Sequence, residues 1–565
     1  MQGWRKGGDH HLKRGFLQSK KIQCSSIPWV VHQNLMGHFL KDRLKIFHDH
    51  TITCFMANDP GLFTIKDALF DGNQDPDQNA IECPGYEPLS YRDLRLQILY
   101  VVKTLNAMGF HRNDRIAVIT PAGPETAVII ISVMTGFTVI PLNPQNKKQE
   151  YQIFFSQVNI KAVIVQRGYE TAATAVAISG NIPIIELIPL HEKAGKFNLE
   201  PPATRDLKEA EFATPSDNSY ILLTSGTTAT SKIVPVSQKQ TFLIRQRQID
   251  QLKITKGDRC LHIVPYYHGM GIGLPLMCIL LAGGTVICTK DFIAPDFFEL
   301  LKTFRPTLFV ASPAFYQAIL RESKKVPPAE LKNNSLRLIV TSSASLPPSV
   351  CHELEAVLKV PVIEHFASSE TGSISINFPP KRGSVGMPFV DYLHILDENG
   401  TCLGPYEPGE IVVKGETVFS GYEEAPLENK AAFTDGWFRT GDIGYLDDEG
   451  YLFLTGRKKE LINKGGRKVA PAEIDAVLTS HPGVRDAMAF CIPDPILGED
   501  IAAMVVPAGE QVTEAELRTY LLDRLVPSNI PRRIYFVDAI PKNSAGKPLR
   551  YAGTERYGGS GSQGF

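Results

Sequence analysis

The stretch Thr224-Ser225-Gly226-Thr227-Thr228-Ala229-Thr230-Ser231-Lys232 gathers hydroxyls, small residues and one cation directly after the apolar run Tyr220-Ile221-Leu222-Leu223. Successive backbone N–H groups in a tight turn of small residues form a concavity for an anion, to which the hydroxyls add donors and Lys232 adds charge. A nucleoside triphosphate suits that chemistry. The pattern is not a Walker loop, which needs Gly before the Lys and Ser or Thr after it, because Ser231 precedes Lys232 and Ile233 follows. A lone window of this composition is more often a Ser/Thr-rich turn between core elements. Its companions therefore decide the matter.

Four further windows carry chemistry. Glu364-His365-Phe366-Ala367-Ser368-Ser369-Glu370-Thr371-Gly372 puts an aromatic face, hydroxyls and a carboxylate on one short loop, a set that suits a nucleobase, a phosphate and a metal. Trp437-Phe438-Arg439-Thr440-Gly441-Asp442 presents a carboxylate at what reads as a tight turn, able to accept both hydroxyl protons of a ribose. Gly456-Arg457-Lys458-Lys459-Glu460-Leu461-Ile462-Asn463-Lys464-Gly465-Gly466-Arg467 concentrates cations around a glycine pair. Pro541-Lys542-Asn543-Ser544-Ala545-Gly546-Lys547-Pro548-Leu549-Arg550 sets a lysine on a loop near the end. Singly, each has a plainer explanation: a turn-closing Asp, a solvated charged face, a decorated tail.

Jointly and in this order, the five windows resemble the adenylate-forming superfamily: acyl-CoA synthetases, aryl-CoA ligases such as 4-coumarate:CoA ligase, insect luciferases and the adenylation domains of peptide synthetases. The resemblance runs over about residues 57–551 and takes in Leu89-Ser90-Tyr91-Arg92-Asp93-Leu94 and Gly136 to Pro144. It implies ATP, Mg²⁺ and coenzyme A as cofactors and a small carboxylic acid as substrate. It further implies that Thr224, Ser225, Gly226, Thr227, Thr228 and Lys232 belong to the loop gripping the β- and γ-phosphates, and that Ser343, Ala344 and Ser345 wall the adenine pocket. Phe366 takes the place of the ring stacked on adenine, Ser369 that of a hydroxyl on the AMP phosphate, and Glu370, with Thr224, that of the metal ligands. Asp442 matches the ribose acceptor, Arg457 a cation beside it, Lys459 the hinge, and Lys547 the lysine of the adenylation step. Lys464, Gly465 and Gly466 are expected to line a pantetheine tunnel, since glycine lets a backbone approach a thin substituent. His268, in Pro265-Tyr266-Tyr267-His268-Gly269-Met270-Gly271, stands between acyl pocket and tunnel.

This sequence also departs from the pattern: Ala229, Ser231 and Ile233 replace the usual Gly, Pro and Gly, and Phe366 and Ser369 replace Tyr and Thr. The window around His268 lacks the Asp that binds an α-ammonium in peptide synthetases, which disfavours an amino acid substrate. The texture around Ser342 and Leu461 to Gly466 is nearest the oxalyl-CoA synthetase branch, although Met270 replaces a second His found there. The implied reaction is carboxylic acid plus ATP to acyl-AMP and pyrophosphate, then transfer of the acyl group to the CoA thiol. Two other readings stay open: an acyl-AMP ligase that loads the phosphopantetheine of an acyl carrier protein, and a nucleotide-binding scaffold that has lost catalysis.

The elements that must position these windows read as α/β. Short β-rich runs alternate with helical patterns, as at Arg115 to Thr120, Lys161 to Val165 and Leu336 to Thr341, which argues for mostly parallel sheets covered by helices. The expected organisation is a basic, poorly ordered N-terminal extension over 1–56, with Met56 as a candidate natural start. A large domain follows over 57–456, with a β subdomain near 404–455, then a small mobile α+β domain over 457–551 and a flexible tail over 552–565. With 565 residues, 43% hydrophobic and 21% charged, the chain has ordinary globular composition for several domains. Its formal net charge of −1 offers no global footprint for nucleic acid. Nine scattered cysteines without a C-x-x-C spacing suggest neither a disulfide framework nor a zinc site, and point to the cytoplasm. The apolar runs Ala127 to Leu142 and Ile272 to Val286 are short and interrupted, so they read as buried core and not as membrane spans.

Overall fold

In the computed structural model, the apolar runs after Leu62 form two large sheets with helices packed against them. The structure describes residues 63–558 apart from 73, 202–208, 225–231, 291, 333, 343–345, 510–511 and 543–545. The N-terminal extension, Ser225 to Thr228, Ser343 to Ser345 and the last seven positions of the expected tail lie outside the described residues.

One sheet has seven strands. Its parallel centre joins Ile184–Pro189, Ala162–Gln166, Arg115–Ile119, Thr138–Pro141 and Asn218–Thr224, and it is flanked by antiparallel Phe197–Glu200 and Lys232–Ser237. The second has nine, with a parallel run through Val362–Ser368, Leu338–Thr341, Leu308–Ala311, Arg259–His262, Thr285–Cys288 and Asn79–Glu82. Strands of this kind, buried on both faces, are near-continuously apolar, as Leu338–Thr341 and Leu308–Ala311 are. Crossover helices start where the sequence supplies start signals. Ser90 caps Tyr91–Ala107 by accepting from the Asp93 N–H, and Pro124 opens the fully buried Pro124–Gly136.

The run Ala127 to Leu142 is thus core helix and strand. The run from Ile272 is core as well, but broken: helix Gly269–Ile272 passes into a π-helical turn, Gly273–Cys278, and then Ile279–Leu281. Among the described residues, no helix is long and apolar enough to cross a membrane.

A five-stranded antiparallel sheet follows. It takes in Tyr392–Leu396, upstream of the β subdomain expected near 404–455, and ends with Leu452–Arg457. The short 3-10 turn Lys458–Glu460 then leads to a separate small sheet built on the hairpin Ile462–Lys464/Arg467–Val469 and the long pair Val484–Asp494/Gly498–Pro507. Helices Pro471–Thr479 and Glu514–Leu522 cover one face of it.

One expectation needs correction. Residues 552–557, the start of the expected flexible tail, complete the helix Arg550–Tyr557, whose Gly553 lies against Phe490 and whose Tyr557 ring stacks on Tyr535 at 3.9 Å. Six described cysteines carry free thiols, and Cys402 is disulfide-bonded.

The small unit meets the large one along a seam. A cleft of about 320 Å³ lined by Arg321, Glu353, His481 and Arg485 occupies one part of it. The loop carrying Lys547 closes another, Gly546 lying close to Ser312 and Ala314.

Candidate active site

The phosphate window begins and ends in paired backbone. Thr224 closes strand Asn218–Thr224, Lys232 opens strand Lys232–Ser237, and the two are cross-strand partners. Lys232 places its ammonium 4.1 Å from the centre of the Tyr422 ring, and the Tyr422 hydroxyl donates to Glu370 Oε1 at 2.9 Å. Burial, and then the Glu370 charge, push the Tyr422 phenol well above its ordinary value, which keeps it a donor. Lys232, Tyr422 and Glu370 thus form a line from the phosphate window to the carboxylate expected to hold a metal. Among the described residues, no hydrogen bond joins Thr224 to Glu370, and no group of three or more His, Cys, Asp or Glu side chains could hold a metal ion. A lone carboxylate fits a hard cation that arrives on nucleotide phosphates, because Mg²⁺ keeps waters and takes one or two carboxylates plus phosphate oxygens.

Phe366 is buried in strand Val362–Ser368, and Ser369 and Glu370 sit on the turn that follows. Gly372 at φ +61° closes that turn so tightly that a Cβ there would lie 2.5 Å from Ile244 of helix Gln238–Leu252.

Asp442 is not at a turn. It lies inside the long strand Trp437–Leu446, where the register against Gly409–Lys414 shifts and Gly441 takes φ +73°, so a kink in a continuous strand aims the carboxylate. Its cross-strand partner is Arg457, whose Nε donates to Asp442 Oδ1 at 2.7 Å. Burial raises the Asp442 carboxyl above its ordinary range, and Arg457 opposes that rise.

Lys547 comes to this pair from the small unit. Solvent reaches its side chain, yet its amine is held below the usual lysine value, first by the protein crowding it and then by Arg457; Asp442, Glu460 and Glu370 act the other way. The loop is anchored by Arg550, which binds Glu460 at 2.8 Å, Asp475 at 2.7 Å and the Ala489 carbonyl at 2.6 Å. Sequence reasoning assigned Arg550 no role.

Other candidates are placed differently. Lys459 lies in the 3-10 turn between the last strand of one sheet and the first of the next. Lys464 is tied to Asp500 at 2.6 Å. Gly465 (φ +59°) and Gly466 (φ +87°) form the two-residue tip of a hairpin, a conformation that itself demands glycine. His268 caps the helix Gly269–Ile272, with its ring 4.6 Å from that of Tyr267. This segment is pinned from behind by His262, whose Nε2 lies 2.8 Å from the Gly271 carbonyl and whose buried imidazole is pushed down to about 4, so the neutral ring donates. Gly269 brings it against Leu222 of the strand leading into the phosphate window.

Tyr422 is the clearest residue missed from sequence. No local signal marks it: Tyr422 lies in irregular chain beyond the strand Gly409–Lys414.

The fold is that of a large α/β unit followed by a small α+β one. The profile of AMP-binding enzymes matches residues 70–423 and that of the AMP-binding enzyme C-terminal domain matches 473–547. The chain belongs to the AMP-binding enzyme family, the adenylate-forming superfamily. It is 33% identical to a probable CoA ligase, CCL9, of Humulus lupulus over 85% of this chain and 94% of that one. It is also 33% identical to the oxalate–CoA ligase of Arabidopsis thaliana, over 84% and 95%. Among solved structures, ATP-bound MatB from Rhodopseudomonas palustris superposes with a TM-score of 0.79 at 28% identity, covering 87% of this chain and 98% of that one.

Proposed function

We infer that the cleft joins a carboxylic acid to coenzyme A with ATP as the energy source, and that the residues described above divide the work. The chain is an AMP-forming acid–CoA ligase. The observation that carries the assignment of roles is the electrostatic coupling of Lys547, from the small unit, with Asp442 and Glu370 of the large one and with Arg457 at their boundary.

The acid's carboxylate and the α-phosphate of ATP repel each other, so the first step is positioning plus charge stabilisation. Phe366 stacks the adenine beside Ser343, Ala344 and Ser345. Asp442, steadied by Arg457, accepts from the ribose hydroxyls. Thr224, Ser225, Gly226, Thr227, Thr228 and Lys232 hold the β- and γ-phosphates, and Ser369 the α-phosphate. Lys547 bridges the two anions as the acid's oxygen displaces pyrophosphate. Glu370, oriented by Tyr422, would hold Mg²⁺, which supplies charge neutralisation at the phosphates.

Residues 57–456 and 457–551 act as two bodies with Lys459 at the hinge. For thioester formation the small body turns, withdrawing Lys547 and presenting Lys464, Gly465 and Gly466 along the path of the pantetheine arm, with His268 at its inner end. The thiol then attacks the acyl-adenylate and AMP leaves. The acid is a small carboxylate; the likeness to an oxalate–CoA ligase supports including oxalate among the acids.

The test is a panel of acids with ATP, measuring pyrophosphate and AMP release and thioester formation with free CoA or with holo acyl carrier protein. Acid-dependent AMP release with CoA thioester is expected. Thioester on the carrier protein alone would overturn CoA as acceptor, and background pyrophosphate exchange with every acid would overturn catalysis.

A further inference from the structure

One charged group in the core takes no part in the chemistry so far. Arg245, on helix Gln238–Leu252, is only 5% exposed. Its Nη1 donates to Gln248 Oε1 at 2.6 Å, its Nε has no partner, and no carboxylate among the described residues lies within ion-pair distance. A buried guanidinium without a counter-charge is strongly disfavoured unless something else neutralises it.

Its surroundings are polar and incompletely satisfied. Gln248 Nε2 donates to Ser373 Oγ at 2.5 Å, Ser373 Oγ shares a 2.6 Å hydrogen bond with His365 Nε2, and the Nδ1 of His365 is buried without a partner. The Cys278 thiol donates to Gln248 Oε1 at 3.1 Å.

Space for the guanidinium is made on the neighbouring segment. A Cβ at Gly273 would lie 2.5 Å from Arg245 Nη1 and 3.1 Å from Cζ, and Gly273 opens the π-helical turn that follows His268. Extra-residue turns of this kind cluster at functional sites.

The cluster also touches the site from each side. His365 precedes Phe366, Ser373 follows the Glu370 turn, Ile244 packs on Gly372, and Gly273 continues the segment capped by His268. Arg245 therefore stands behind the wall shared by the loop of Phe366 and Glu370 and the segment of His268.

We propose that Arg245, with Gln248 and His365, is a subsite for a second anionic group on the substrate acid, so that the enzyme selects short acids bearing two acidic groups. The inference rests on the ligase reading above. The reacting carboxylate lies toward Lys547, and the distal carboxylate or sulfonate neutralises the guanidinium and takes the unused donor of Arg245. His365, whose imidazole is neutral because burial and Arg245 both hold its pKa down, to about 3, supplies an uncharged second contact.

The experiment compares matched pairs, succinate with butyrate and glutarate with valerate, in acid-dependent AMP release and in thermal stabilisation of the enzyme, for wild type, Arg245→Met and Arg245→Lys. Wild type is expected to prefer the dianion, and Arg245→Met to lose about a hundredfold more kcat/KM on the dianion than on its partner, mainly through KM. Arg245→Lys should recover part of the preference, with the KM for ATP unmoved in both variants. Equal loss on both acids in Arg245→Met, or a wild type that prefers the monoanions, overturns the subsite and leaves the ligase standing. Absence of AMP release with any acid overturns the ligase reading instead. In that case, dianion-selective thermal stabilisation, abolished in Arg245→Met, upholds the subsite on its own, and its absence overturns it.

Discussion

Tyr422→Phe removes one oxygen and little else. The ring stays, so the stacking of Lys232 at 4.1 Å and the edge contact with Phe419 are retained. The backbone is held by Asn429, which accepts from the Tyr422 N–H at 2.7 Å and donates to its carbonyl at 2.7 Å. The change therefore isolates the 2.9 Å hydrogen bond to Glu370. A hydrogen bond to a carboxylate contributes about 1.5–3 kcal/mol. Glu370 is only half-buried, so water recovers part of this and a net loss of about 1–2 kcal/mol is expected. If the bond holds Glu370 in the orientation that receives Mg²⁺, the loss appears as a weaker metal-dependent affinity for ATP, by about 5- to 30-fold.

Two measurements check this: equilibrium binding of ATP with Mg²⁺ and with EDTA, and the Mg²⁺ concentration giving half-maximal pyrophosphate exchange. The fall should be confined to the metal-containing condition. Equal affinity of variant and wild type with Mg²⁺, or the same loss with EDTA, would refute the positioning role. Tyr422→Leu also gives up the aromatic face under Lys232, a contact of about 0.5–2 kcal/mol, and should weaken ATP further in both conditions.

Lys547→Ala is expected to reduce adenylate formation by about 10²–10³-fold while largely sparing thioester formation from supplied acyl-adenylate, measured as separate half-reactions; equal loss in both would remove the lysine from the first step. Lys459→Pro, which stiffens the turn between the two sheets, should spare pyrophosphate exchange and block CoA thioester formation, and an intact second step would move the hinge elsewhere. Glu364 is the pH probe. Burial raises its carboxyl from 4.5 to about 7, so the folded state binds the extra proton between those values and stability falls as pH rises through the window, by up to about 3 kcal/mol. His262 and His365, held neutral by burial, act oppositely on the acid side. The informative quantity is thus the difference between Glu364→Gln and wild type in urea unfolding at about pH 5 and about pH 8, with the variant relatively more stable at the higher pH.

What could be read from the sequence, and what could not, divides along a physical line. Strands such as Arg115–Ile119, Ala162–Gln166 and Leu338–Thr341 are specified by local pattern, and they fall within a residue or two of expectation. The windows holding Glu370, Asp442, Arg457 and Lys547 stand out in the sequence because each concentrates unusual residues over a short span. The aim of the Asp442 carboxylate was not, since a kink at Gly441 inside a paired strand and a turn carry the same local composition. Partners separated along the chain leave no local trace either. Tyr422 and Glu370 are 52 residues apart, and nothing periodic near either announces the other. Arg245 is the extreme case. Its helix reads Gln-Lys-Gln-Thr-Phe-Leu-Ile-Arg-Gln-Arg-Gln-Ile-Asp-Gln-Leu, polar enough to suggest a solvated face, and only the packing of Gly273 and Gly372 against it shows that the polar side is turned inward. A buried cation on a polar helix is a specific cost that an ordinary core does not carry, and the residues that carry such costs are the ones for which a ligand gives the simplest account.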